Sequence, residues 1–162
     1  MKKNFIFAGA GFLFGALGGI VSYKIQERNS VNSNEMINKR TAYYYDFLLY
    51  WLKAKNEGLD MGEYFREQNY HNIAIYGAGK LCVSLYEEIK DIDNINILYV
   101  VDKGNEKRLD DIEIIKLNEV RSKKEPDVVI VTPIYDYKEI EKEIRKEYKC
   151  PIVSLEDLIY AE

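Results

Sequence analysis

Residues 77–80 read Gly-Ala-Gly-Lys, between five mostly apolar residues, Asn72 to Tyr76, and a stretch with helical periodicity. These residue types at this spacing suit the binding of a phosphate. A first glycine permits a tight turn, and a second lets backbone approach an anion closely. The helix that follows offers unpaired N–H groups and the positive end of its dipole. The full pattern is G-x-G-x-x-G/A, and Cys82 stands at its last position. A second apolar run ends at Asp102, twenty-three residues beyond Gly79. A carboxylate there accepts hydrogen bonds from ribose hydroxyls and repels a 2′-phosphate, so it favours NAD over NADP. It is also ordinary turn chemistry ahead of Gly104. Thr132, at the end of a third apolar run, offers a hydroxyl to the same crevice or merely closes a strand before Pro133. The candidate contact set is therefore Gly77, Ala78, Gly79, Lys80, Asp102 and Thr132. A P-loop is excluded: aligning Gly79-Lys80 with its G-K puts Ala74 at the first glycine and Leu81 at the magnesium-binding hydroxyl.

Catalytic groups are sparse. Tyr76 and Lys80, like Tyr99 and Lys103, have the spacing of a Tyr/Lys catalytic pair, but both pairs cross from strand into turn instead of sharing a helical face. The single His, His71, precedes the first strand, at the end opposite the crevice. The two cysteines, Cys82 and Cys150, fall near opposite ends of the sheet, too far apart for a disulfide. No His/Cys grouping has metal-ligand spacing, so no metal site is expected.

The elements that would position these residues alternate strand and helix. Strands are expected at Asn72–Tyr76, Ile97–Val101, Ile112–Leu117, Val128–Thr132 and Ile152–Ser154. Leu81, Leu85 and Ile89 give the first helix a buried face, and Tyr137, Ile140, Ile144 and Tyr148 do the same for a later one. Near-continuous apolar runs mark strands covered on both faces. The expected class is α/β: a small parallel sheet in a three-layer Rossmann-like sandwich, strand order 3-2-1-4-5, with the flavodoxin-like 2-1-3-4-5 as the competing order.

Two segments precede that domain. Asn4 to Tyr23 carries no charge over twenty residues, and as a helix it would span ~30 Å, the thickness of a hydrocarbon core. A single transmembrane anchor is expected over 1–29, inserted through Phe5 to Tyr23. Gly11, Gly15 and Gly19 line one face of it and would let two copies approach. Lys24, Arg28, Lys39 and Arg40 outnumber Lys2 and Lys3, which places the chain in the cell membrane, single-pass, with its soluble domain on the cytoplasmic side. A helical connector is expected over 30–70. Its stripe of Tyr44, Leu48, Trp51 and Lys55, with Tyr45, Leu49 and Leu52 beside it, would dock on the domain or on a partner copy. The nucleotide-binding domain then covers 71–162.

The stretches "IAIYGAGKLCVSLYEEI", "ILYVVDKG", "PDVVIVTPIYDYKEIEKEI" and "CPIVSLEDLI" carry a resemblance. Over about Asn72 to Leu158 the chain resembles the nucleotide-binding module of bacterial surface-polysaccharide biosynthesis proteins. Such modules precede the catalytic part of membrane-anchored nucleotide-sugar dehydratases and epimerases, and the transfer domain of some sugar acetyltransferases. The resemblance implies nucleotide-contact roles for Gly77, Gly79 and Asp102, NAD or a nucleotide-sugar as ligand, and a polysaccharide-biosynthesis enzyme as partner. Cys82 departs from it, and the catalytic part has no counterpart in this sequence. The net charge of −4 gives no basic face for nucleic acid. Three functions remain open: a membrane-tethered nucleotide or nucleotide-sugar binding module, a minimal NAD-dependent oxidoreductase or epimerase completed by a partner, and a scaffold that has lost its ligand.

Overall fold

The computed structural model describes residues 33–104 and 108–160. The chain divides into two compact units, 1–45 and 46–162. In the first, the described residues are helical, and Glu35 and Lys39 pair one turn apart at 2.7 Å.

Helix α1 covers 33–56. It ends where Gly58 takes φ +97° and the Leu59 and Gly58 N–H groups donate back to the Ala54 and Lys55 carbonyls, at 2.9 and 3.2 Å. These two bonds satisfy carbonyls that the last turn would leave unpaired. Asp60 then caps α2, Met61–Glu67, by accepting from the Gly62 N–H at 2.8 Å. The remaining order is β1 Asn72–Tyr76, α3 Lys80–Ile89, β2 Asn96–Val101, β3 Arg108–Leu109, β4 Ile112–Ile115, a 3-10 segment Leu117–Ser122, β5 Val128–Val131, a 3-10 turn Ile134–Asp136, α4 Tyr137–Ile144, β6 Ile152–Ser154 and α5 Leu155–Ile159. Ser154 opens α5 by a reciprocal cap. Its hydroxyl accepts from the Glu156 N–H, and Asp157 accepts from the Ser154 N–H at 2.8 Å.

The sheet runs β3-β4-β2-β1-β5-β6. All pairings are parallel except β3 with β4, which is antiparallel, Arg108 opposite Glu113. The five parallel strands thus stand in the 3-2-1-4-5 order. The β3–β4 hairpin is an addition that the sequence hides, because β3 is only two residues long and its turn rests on Asp110 at φ +49°. Successive strand residues point to opposite faces. Ala74, Tyr76, Tyr99, Val101, Val129 and Val131 form one core with Ile144 and Tyr148, and Ile140 packs against its edge. Ile73, Ile75, Val100, Val128 and Ile130 are buried on the other face. The β1-α3-β2 and β5-α4-β6 crossovers move in opposite directions along the sheet, so right-handed connections put α3 and α4 on opposite faces.

Two expectations are corrected. Among the described residues no helix is long and apolar enough to cross a membrane. The transmembrane helix expected ahead of the fold is therefore not supported by the described residues. The longest helix described, α1, carries Arg40, Asp46, Lys53 and Lys55, charges that hydrocarbon does not accept. Phe5 to Tyr23, with the glycine face Gly11, Gly15 and Gly19, lies outside the described residues. The second correction concerns which side of α1 is buried in the second unit. Phe47 and Trp51 are buried, with Tyr50 and Ala54 half-buried, whereas Leu48, Leu49 and Leu52 are exposed. Aromatic contacts explain the choice: Tyr160 meets Tyr50 and Phe47 edge-on, ring centres 4.5 and 6.3 Å away.

Candidate functional site: the cleft at the carboxyl ends of β1 and β2

In a parallel α/β sheet the ends of the strands nearest the helix N-termini form the crevice that takes ligands. Here β1 runs out at Tyr76 into Gly77, whose N–H donates to the Val101 carbonyl at 2.8 Å. Gly77 adopts φ +95°, and a β-carbon there would fall 2.7–2.9 Å from Pro133 and the Thr132 hydroxyl. Packing alone therefore requires this glycine. Gly79 is different. It caps α3 at φ −80° with no side-chain hydrogen bond at the helix start, and a β-carbon there would meet nothing within 4 Å. The start of α3 is open to an anion on that side.

Asp102 ties the turn down. One carboxylate oxygen accepts from the Ala78 N–H at 2.8 Å and the other from the Gly104 N–H. Its own N–H donates to Ile115 at 3.0 Å, which fixes the end of β2 against β4. Thr132 is buried. Its hydroxyl lies between the Tyr76 and Gly77 carbonyls, 3.1 and 2.9 Å away, and so faces the backbone of the turn. Lys80 and Gly79 are exposed beside the cleft without lining it.

Two cavities meet at Tyr76, Asp102 and Lys103. One, about 460 Å³, continues over Gly77 and Pro133 to Glu139 and Glu143 of α4. The other, about 470 Å³, continues over Val101 to Lys116, Leu117 and Asn118. Both fall in the range of small-molecule sites. Lys103 stands between them and pairs with Glu143 at 2.8 Å. The hydrogen bond to Glu143, together with Tyr76 nearby, raises the Lys103 pKa, so it remains a cation. Burial raises the Tyr76 phenol, and Lys103 offsets part of that rise.

Tyr76 and Lys103 belong to two different Tyr-x-x-x-Lys spacings in the sequence, and the fold brings together one member of each. The phenol stays protonated at neutral pH, with the carboxylates of Asp102 and Glu143 and the Lys103 cation beside it. Burial, with Asp102 nearby, pushes the Cys82 thiol up to about 12, which makes it inert as a nucleophile. His71 sits at the other end of the sheet, its N–H donating to Asp127 at 2.8 Å. Among the described residues no cluster of His, Cys, Asp and Glu is arranged to hold a metal ion. The arrangement can hold and orient a polar ligand.

Lys103, Glu143, Lys116 and Asn118 are cleft residues that sequence reasoning missed. Lys103 and Glu143 are forty residues apart, and no local pattern announces their pairing. The position of Lys103 directly after Asp102 was the one available signal.

Residues 69–150 match the family model described as C2185-like, N-terminal. That span holds every residue lining the two cavities. Its description names neither a nucleotide nor polysaccharide assembly. No curated protein matches the chain.

Proposed function

The chain belongs to the C2185-like N-terminal family, and because the cleft lies wholly within the part that defines the family, we propose that it binds a nucleoside diphosphate, free or as a nucleotide-sugar, without transforming it. The observation that carries this reading is the uncapped start of α3 beside Gly79, open to an anion and adjoining two cavities of ligand size. A phosphate at this point accepts hydrogen bonds from the first N–H groups of the helix, where the dipole favours negative charge. Ribose hydroxyls donate to Asp102, whose two oxygens keep lone pairs beyond the backbone bonds they already accept. The sequence resemblance to polysaccharide-assembly modules, which implies NAD or a nucleotide-sugar, supports a ligand that carries a diphosphate.

One observation favours the scaffold reading. Gly77, Asp102 and Thr132 each already have a structural partner inside the fold. Thermal melting separates the two readings. UDP, UDP-sugars, NAD and coenzyme A are offered to the protein in turn. A ligand at 100 times its Kd adds about 2.7 kcal/mol, a clear rise in melting temperature. Gly79→Val should abolish the rise, because a branched side chain fills the open approach to the helix end. No rise with any of these ligands at millimolar concentration overturns the binding reading and leaves the scaffold.

A further inference from the structure

We propose that the outer face of α1 docks a second copy of the chain, the two α1 helices lying antiparallel across a twofold axis near Leu49. This surface is independent of the cleft and of whatever the cleft binds. Leu48, Leu49 and Leu52 are 46, 49 and 57% exposed, on the side of α1 turned away from Phe47, with buried Trp51 at the edge of that side. Across from Leu48 and Leu52, Val83 of α3 is 43% exposed, and a groove of about 410 Å³ runs between the two helices. Three leucines and a valine clustered outside the core are the kind of patch that single exposed residues do not make.

The charges choose the occupant. Asp46 and Lys53 are two turns apart and lie on the same flank of the leucine face. The point midway between them falls between Leu49 and Tyr50, where the three leucines are also centred. A twofold axis at that level sets Asp46 of each copy against the partner's Lys53, at the two ends of one flank of a shared leucine seam. A parallel pair would turn these flanks to opposite sides of the seam, so that Asp46 and Lys53 would not meet each other. Self-complementarity of this kind is what a twofold contact demands, since each patch meets its own copy. Lys53 also lies 3.7 Å from Glu57, but both side chains are about two-thirds exposed, and such a pair binds Lys53 only weakly.

Light scattering of the full chain over a range of concentrations tests this. A dimer is expected that dissociates on dilution. Leu49→Glu/Leu52→Glu should leave a monomer with an unchanged circular dichroism spectrum, because both positions are exposed. Asp46→Lys and Lys53→Asp should each raise the dimer Kd about tenfold. The double swap Asp46→Lys/Lys53→Asp should restore it. Trp51, the chain's only tryptophan, lines the groove, so its fluorescence should report the same transition. A chain that stays monomeric, or a dimer that survives Leu49→Glu/Leu52→Glu, overturns the proposal. A double swap that fails to restore affinity overturns the antiparallel pairing.

Discussion

The two glycines of the turn look equivalent in the sequence and do different work. Gly77 sits at φ +95° with Pro133 and Thr132 against it, so Gly77→Ala meets both a left-handed backbone penalty and overpacking. Together these should cost roughly 2–4 kcal/mol in urea unfolding. At Gly79 the backbone is ordinary and the space open, so Gly79→Ala should change stability by no more than about 0.5 kcal/mol. A large loss at Gly79 would mean that the open side of α3 is not as described. The cysteines give a second residue-level expectation. Burial raises the Cys82 thiol to about 12 and the Cys150 thiol to about 11. A thiol reagent at pH 8 should therefore label neither in the native chain and both after unfolding, counted by mass spectrometry. Rapid native labelling of Cys82 would contradict its burial.

At the scale of elements, α1 offers the clearest contrast. Phe47→Ala should cost about 3–5 kcal/mol because it empties a filled site under Tyr160, whereas Leu52→Ser, measured in the dilute monomer, should stay within about 0.5 kcal/mol. Trp51→Phe should be nearly neutral for a separate reason. The buried indole N–H has no hydrogen-bond partner among the described residues, and removing it relieves a desolvation cost of about 1–3 kcal/mol that offsets the lost contact area. Equilibrium unfolding in urea measures all three. The same helix shows where the sequence was readable. Strands β1, β2, β5 and β6 were legible because strands buried on both faces read as unbroken apolar runs. The buried side of α1 was not, because apolar residues occupy most of its circumference and only Tyr160, more than a hundred residues away, decides which side packs. The two-residue β3 fell below any periodic signal. In the cleft, the glycine turn and Asp102 were legible from spacing, while Lys103 with Glu143 depended on the α4 crossover.

At the scale of the whole sheet, an aspartate holds each end of the central strands. Asp102 closes the carboxyl end, and Asp127 closes the other by accepting from the His71 and Asn72 N–H groups at 2.8 and 2.7 Å. Burial alone would raise the Asp127 pKa, but those backbone donors and the Asn72 amide together hold it below its ordinary value of 3.8. A carboxylate lowered by folding contributes stability that is fully present above that ordinary value and lost as pH falls through the folded one. The urea midpoint should therefore drop as pH falls below about 4, and Asp127→Asn should flatten that drop. An unchanged acid profile in the variant would remove Asp127 from the explanation. The sheet has one more consequence, carried by its outermost strands. β3 has two residues and β6 three, so neither edge presents a long row of unpaired backbone N–H and C=O groups. Long flat edges recruit further strands and seed fibrils, and short ones do so poorly. Overexpressed or concentrated, this chain should resist amyloid growth from its native state, and dyes that report cross-β stacking should stay dark until the sheet itself has come apart.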